Sequence, residues 1–200
     1  SSAACSYVQD ARRGNRVLKV IASKKADGYC GYWMQIVDFK ATTKTYVDIT
    51  PYKYFTFMVR GAKGREDFTI QSADRIWTIK EDSVPIGEVE KYLKKGITTN
   101  WREVVIPIEE FTGVEKSEMA SFTFNFLTPG DYTVFFDDFA FKTDPAVNVP
   151  RKSASTAATA AKPFDRAMWV WNPEYYLDAA PRKGLIAFCK EKGIKILYTQ

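Results

Sequence analysis

Residues Asp131–Phe141 read DYTVFFDDFAF, an aromatic run rich in strand-forming side chains, and its reading decides the fold. Pro129-Gly130 supplies a turn just before it. Ahead of that turn Phe122–Phe126 (FTFNF) alternates phenylalanine with polar residues at the period of two that marks a half-buried strand. The two segments predict an antiparallel pair whose second member closes a β-sandwich. Two carboxylates, Asp137 and Asp138, interrupt the apolar run. At period two, Asp137 shares the parity of Phe135, Phe139 and Phe141. If that side faces the core, its carboxylate needs a cation or a hydrogen-bond donor beside it.

Short runs of the same kind recur upstream, each bounded by turn residues, at the spacing of an all-β sandwich. Arg16–Ala22 (RVLKVIA) is the first, and Asp27-Gly28 marks a turn into Tyr29–Phe39. Tyr54–Arg60 (YFTFMVR) sets Phe55, Phe57 and Val59 on one face and Tyr54, Thr56, Met58 and Arg60 on the other. Asp67–Ser72 follows a glycine-flanked hairpin connection, and Trp101–Ile108 is a further strand with Pro107 near its end. Gly87–Lys95 breaks this rhythm and predicts a short helical turn stopped by Gly96. The sum is about eight strands, within the range of a jelly roll. The fold class expected is therefore all-β, an antiparallel sandwich.

Composition narrows the chemistry. The 200 residues are 46% hydrophobic and 15% aromatic, enough to bury a sizeable core. There is no histidine, which removes histidine triads and histidine zinc sites and leaves oxygen as the ligand for any metal. The 29 basic residues are interleaved with 24 acidic ones without a Lys/Arg block, so nucleic acid is not the expected partner. No apolar run approaches the roughly 18 residues of a membrane span. Cys5 and Cys30 are read either as a disulfide or as free buried thiols.

After Lys142 the pattern changes. Residues 1–142 are expected to form the sandwich, residues 143–163 a Pro/Ala/Ser/Thr-rich linker, and residues 164–200 a strand, helix and strand. In the last segment Ala167–Trp171 and Ile194–Thr199 are apolar strands, and Pro181–Lys192 is a helix capped by Gly193: a βαβ unit of a parallel sheet. A (β/α)8 barrel needs about 250 residues, so the segment reads as the start of one. Such a fragment leaves Trp169 and Trp171 needing cover, which predicts that it packs on the sandwich, pairs with another chain or belongs to a piece of a larger protein.

Four stretches carry a resemblance to a known family: Asp27–Trp33 (DGYCGYW), Tyr46–Tyr52 (YVDITPY), Trp101–Pro107 (WREVVIP) and Tyr132–Phe139 (YTVFFDDF). Together, over residues 5–142, they resemble the jelly-roll carbohydrate-binding modules of the galactose-binding-like superfamily. Residues 164–200 resemble, more faintly, the first βαβ of a glycoside hydrolase barrel. Ser2–Cys5 (SAAC) resembles the end of a bacterial lipoprotein cleavage site, which implies a lipid anchor at Cys5. The resemblance implies a secreted, periplasmic or cell-surface bacterial protein. It also implies a structural calcium held by Asp137 with Asp10 and Asn15; the reading from the residues alone offers Arg12, Arg13 or Arg16 as an ion-pair partner instead.

Sugar recognition needs flat rings for the CH face of a pyranose and planar hydrogen-bonding groups for its hydroxyls. The non-core parity of the central strands offers both, and Trp33, Gln35, Tyr54, Arg60, Gln71 and Asn125 are the candidate ligand-binding residues, with Thr69 and Thr123 between them. Burial of that face under another element is the competing reading, and it would make the chain a structural or interaction domain. Trp77 is expected to clamp a ligand or to plug the sandwich end, and Trp101 to lie in the core. Glu174 and Asp178 follow the first barrel-like strand, and a lone acid pair on one loop reads as surface or helix capping. No catalysis is expected from these residues.

Overall fold

The computed structural model describes residues 1–144, 146, 166–170, 179–192 and 194–199. Nine strands form the first unit: β1 (Ser2–Asp10), β2 (Asn15–Lys24), β3 (Gly31–Gln35), β4 (Tyr54–Gly61), β5 (Thr69–Asp74), β6 (Val84–Glu88), β7 (Arg102–Pro107), β8 (Met119–Asn125) and β9 (Gly130–Lys142). They make a five-stranded sheet, ordered β1-β2-β9-β4-β7, and a four-stranded sheet, ordered β3-β8-β5-β6. Every pairing within these sheets is antiparallel. The chain is an antiparallel β-sandwich, as expected.

Alternation builds the core. Leu18 and Val20 of β2, Phe55, Phe57 and Val59 of β4, Val104 and Ile106 of β7 and Val134 and Phe136 of β9 meet Ile70, Phe122 and Phe124 from the other sheet. Phe55 stacks on Phe122 with ring centroids 4.2 Å apart, and Phe57 meets Phe124 edge-on at 5.5 Å. Offset and edge-to-face contacts of this kind add to the burial of the rings themselves.

The closing strand departs from simple alternation. Thr56 pairs with Ala140 but Met58 with Asp137, so β9 carries one extra residue opposite Phe57. Asp138 is that residue, with φ of +51°, a left-handed bulge. The bulge resets the parity. Phe135 and Asp137 lie on the outer face and Phe136 faces in; past the bulge Phe139 and Phe141 also pack on the core. Asp137 therefore does not share a side with Phe139 and Phe141, which corrects the period-two reading of the sequence.

Three elements differ from expectation. β1 pairs with β2 along its whole length, with Ser2, Ala3 and Ala4 opposite Ser23, Ala22 and Ile21. Its side chains are largely exposed, so it carries little apolar pattern for a sequence reading to find. The stretch expected as a helical turn, Gly87–Lys95, holds one, α2 (Val89–Tyr92); what the expectation lacked is β6, the strand that leads into it. A short helix, α1 (Arg75–Ile79), follows β5, capped by the Asp74 carboxylate, which accepts from the Trp77 backbone N–H at 2.9 Å.

The second unit contains β10 (Arg166–Val170), α3 (Ala179–Lys192) and β11 (Ile194–Thr199), with β10 and β11 parallel. The expected linker, Trp171, Glu174, Asp178 and Gly193 lie almost wholly outside the described residues. Among the described residues no helix is long and apolar enough to cross a membrane. All three cysteines are free. Cys5 is exposed on β1 and buried Cys30 donates to the Ser2 carbonyl at 3.4 Å.

Candidate functional site

The outer face of the four-stranded sheet is organised in cross-strand rows. Trp33 on β3, Thr123 on β8, Gln71 on β5 and Pro85 on β6 stand side by side. On one flank run Gly31, Asn125, Thr69 and Glu88; on the other run Gln35, Ser121 and Ala73. With strands about 4.8 Å apart, the row from Trp33 to Pro85 spans about 14 Å. Of the residues in these rows only Glu88, at the β6 rim, ionises.

The rows have a relief. Thr69, Thr123 and Ser121 form a buried floor, whereas Trp33 is 50% exposed and Gln35 is exposed beside it. Trp33 packs against Phe39 at 6.0 Å, and the Lys44 ammonium lies 5.7 Å over the Phe39 ring. Gln71 is oriented by its neighbour: Ser83 Oγ donates to Gln71 Oε1 at 2.7 Å, which makes the NH2 the donor end of the amide. Thr69 Oγ1 and Ser121 Oγ are buried without a hydrogen-bond partner among the described residues. Buried hydroxyls of that kind are costly unless water or a ligand meets them. Chemically the accessible part of the face offers one flat indole, the amides of Gln35, Gln71 and Asn125, and little charge, with Glu88 at one rim and Lys44 beside Phe39.

The eight sequence candidates do not converge on one surface. Trp33, Gln35, Gln71 and Asn125 share this face, with Thr69 and Thr123 between them. Tyr54 and Arg60 lie instead on the outer face of the five-stranded sheet, because β4 belongs to that sheet. Tyr54 pairs with Pro107 and Lys142. Arg60 gives Nε and Nη2 to Asp10 Oδ2 at 3.2 and 2.7 Å, and its guanidinium lies 3.7 Å over the Phe135 ring. Trp77 sits on α1 past the end of β5. Its indole Nε1 donates to the Gly113 carbonyl at 2.9 Å and Lys80 covers its ring at 4.5 Å, so it ties two loops together. Trp101 is half-buried rather than in the core, flanked by the guanidiniums of Arg13 and Arg60 at 5.4 and 5.3 Å.

The carboxylates expected to hold calcium are engaged by arginine. Asp137 Oδ2 accepts from Arg13 Nε at 3.0 Å and from Asn15 Nδ2 at 3.4 Å, and Asp138 Oδ2 accepts from Arg13 Nη2. Asp10 takes Arg60 and, through Oδ1, the backbone N–H groups of Arg12 and Arg13. A calcium ion would compete with two guanidiniums for its oxygens, so the donor set as folded does not fit one. No cluster of three or more acidic or cysteine ligands occurs among the described residues. The ion-pair alternative describes the arrangement, with Arg13 and Arg60 as the cations.

An antiparallel sandwich that carries an exposed tryptophan and a row of amides with little charge on one sheet face has the make-up of a class, the β-sandwich carbohydrate-binding modules. The particular family follows from the sequence: residues 6–143 match the model of carbohydrate binding domain 30, and the chain belongs to that family. Among curated proteins none matches. Solved structures of similar fold include the family 30 module of a cellulosomal cellulase of Clostridium thermocellum, 18% identical with a TM-score of 0.56, covering 70% of this chain and 83% of that one. A second family 30 module is 19% identical with a TM-score of 0.53, covering 74% and 80%. A family 11 module from Clostridium thermocellum, solved with a β-1,3-1,4-mixed-linked tetrasaccharide, is 10% identical with a TM-score of 0.52, covering 70% and 82%. At these identities the structures speak for the fold.

The sequence reading missed Ser83 and Phe39. Ser83 gave no signal, because it acts only through Gln71 across the β5–β6 hairpin. Phe39 lies past the end of β3, which stops at Gln35 and not at Phe39 as the sequence reading had it; that reading gave Phe39 the parity of Trp33 but did not count it as part of the site.

Proposed function

We propose that the chain is a non-catalytic module that binds a neutral polysaccharide on the outer face of the four-stranded sheet, on Trp33, Gln35, Gln71 and Asn125. The observation that supports this is the row Trp33–Thr123–Gln71: an exposed indole at one end and, two strands away, an amide whose oxygen is already taken by Ser83, over a buried floor of small hydroxyl side chains. The near absence of charge favours neutral glycans over uronic-acid polymers, because a carboxylate-bearing chain would find no cation in these rows. The family 11 neighbour's mixed-linked tetrasaccharide makes β-glucans the first class to try. The parent of the family 30 neighbour is a cellulase, which supports a secreted or cell-surface glycan-processing protein as the source. In this reading the βαβ unit at residues 164–200 begins a glycoside hydrolase barrel.

Affinity electrophoresis and isothermal titration against soluble β-glucans, xylans, mannans and pectins test the reading. Trp33→Ala is expected to abolish binding and Gln71→Ala to weaken it about tenfold, the loss typical of truncating a central contact. Arg60→Ala, on the opposite sheet, should bind as the wild type does. Retention of binding by Trp33→Ala, or its loss in a folded Arg60→Ala, would move the site off this face. No binding to any glycan by the folded protein would favour an interaction domain.

A further inference from the structure

The strand that carries Trp33 begins with Gly31, and alternation puts Gly31 on Trp33's side of the sheet. Gly31 is not in the left-handed region, so its lack of a Cβ serves space and not backbone freedom. That space is taken by Tyr29. A Cβ at Gly31 would fall 2.8 Å from Tyr29 Cζ and closer still to its hydroxyl, with the Phe124 carbonyl oxygen 3.0 Å away. The phenol thus rests its hydroxyl end on the Gly31 backbone, yet Tyr29 as a whole is 61% exposed. A ring that folds back over a glycine with most of its surface still open is held on the face without being consumed by it. Two residues of extended strand separate Gly31 from Trp33, a rise of about 6.6 Å, so the hydroxyl end of Tyr29 and the indole are neighbours on one surface.

We infer that Tyr29 is a second stacking residue, seated by Gly31, which extends the Trp33 surface so that a longer glycan gains a contact that a short one does not reach. The inference rests on the sheet-face reading above and adds a residue to it. Asn125, directly opposite Gly31 on β8, puts an amide in the row next to the glycine that seats the ring. The neutrality of that row, Glu88 at its far end apart, suits a second uncharged sugar unit.

Titration of the full chain with mixed-linked β-glucan and its oligosaccharides of increasing length tests it. Tyr29→Ala should weaken the longer oligosaccharides about tenfold and leave the shortest that bind unchanged. Tyr29→Phe should keep both. Gly31→Ala, with Tyr29 intact, should reproduce the loss, because its methyl displaces the ring. Should Tyr29→Ala unfold, Tyr29→Leu covers Gly31 without a flat ring and carries the same comparison. If Trp33→Ala abolishes binding while Tyr29→Ala and Tyr29→Leu bind every length as the wild type does, Tyr29 is merely a cover for Gly31, and the sheet-face reading stands. If Trp33→Ala also binds normally, the sheet-face reading falls and this inference with it.

Discussion

Arg60 lies on the outer face of β4 with an aromatic ring against its guanidinium and a buried carboxylate at its edge. Asp10 is 5% exposed and holds two Arg60 nitrogens and two backbone N–H groups. Burial alone would raise the Asp10 pKa, but the hydrogen bonds from Arg60 and Arg12 hold it below the ordinary value of 3.8. A carboxylate with a depressed folded pKa contributes stability that is present above its unfolded value and lost as pH falls through the folded one. Arg60→Ala leaves Asp10 buried without its cation and is expected to cost about 3 kcal/mol, the loss from breaking a largely buried pair. Urea midpoints measured at neutral pH and below pH 3.8 check both points. The wild type should lose stability over that drop, and Asp10→Asn should lose less. An equal acid loss in Asp10→Asn would assign the acid sensitivity to other carboxylates. The sequence showed Arg60 to be on a non-core face and could not show which, because parity along one strand is silent about which sheet the strand joins.

The bulge in β9 is an element-scale device. One extra residue lets Asp137 and Asp138 both meet Arg13 on the outside while Phe139 and Phe141 return to the core. Without it a period of two would carry those two phenylalanines to the outer face. Phe139 lies 5.4 Å from Phe57, and Phe141 lies 5.3 Å from Phe55. Losing two such rings costs about 3 to 5 kcal/mol each, comparable with the whole stability of a domain at about 5 to 15 kcal/mol. Deletion of Asp138 is therefore expected to abolish cooperative thermal unfolding as followed by circular dichroism. Asp138→Asn, which tolerates a φ of +51°, should melt within a few degrees of the wild type. A cooperative melt in the deletion variant would mean that the register can slip without cost. The strands were legible because alternation reports burial directly, and β2, β4, β7, β8 and β9 stand where their patterns put them. The bulge was not, because Asp137 and Asp138 put one carboxylate on each parity and phenylalanine also stands on both, so period two cannot fix the register of the run. β1 escaped for the opposite reason: an exposed edge strand has no apolar side to show.

At the scale of the molecule, the charge balance and the proposed site point in different directions. The chain carries a formal net charge of +5, which attracts any polyanion over a distance set by ionic strength. The rows Trp33–Thr123–Gln71 and Gly31–Asn125–Thr69 contain no cation, so contact with a neutral glycan draws on ring stacking, amide donors and hydroxyls, none of which salt screens. Raising sodium chloride from about 0.01 M to about 1 M shortens the screening length from about 30 Å to about 3 Å. Over that range the dissociation constant for a neutral β-glucan should change by less than about twofold, whereas adventitious binding to pectin or nucleic acid should collapse. Titration at both ends of the range separates the two. A β-glucan affinity that falls tenfold with salt would show that a cation makes the contact, either Lys44 beside Phe39 and Trp33 or the arginines on the outer face of the five-stranded sheet, and Trp33→Ala tells the two apart. Salt independence together with loss in Trp33→Ala would locate binding on the four-stranded sheet and leave Arg13 and Arg60 to the stability of the other.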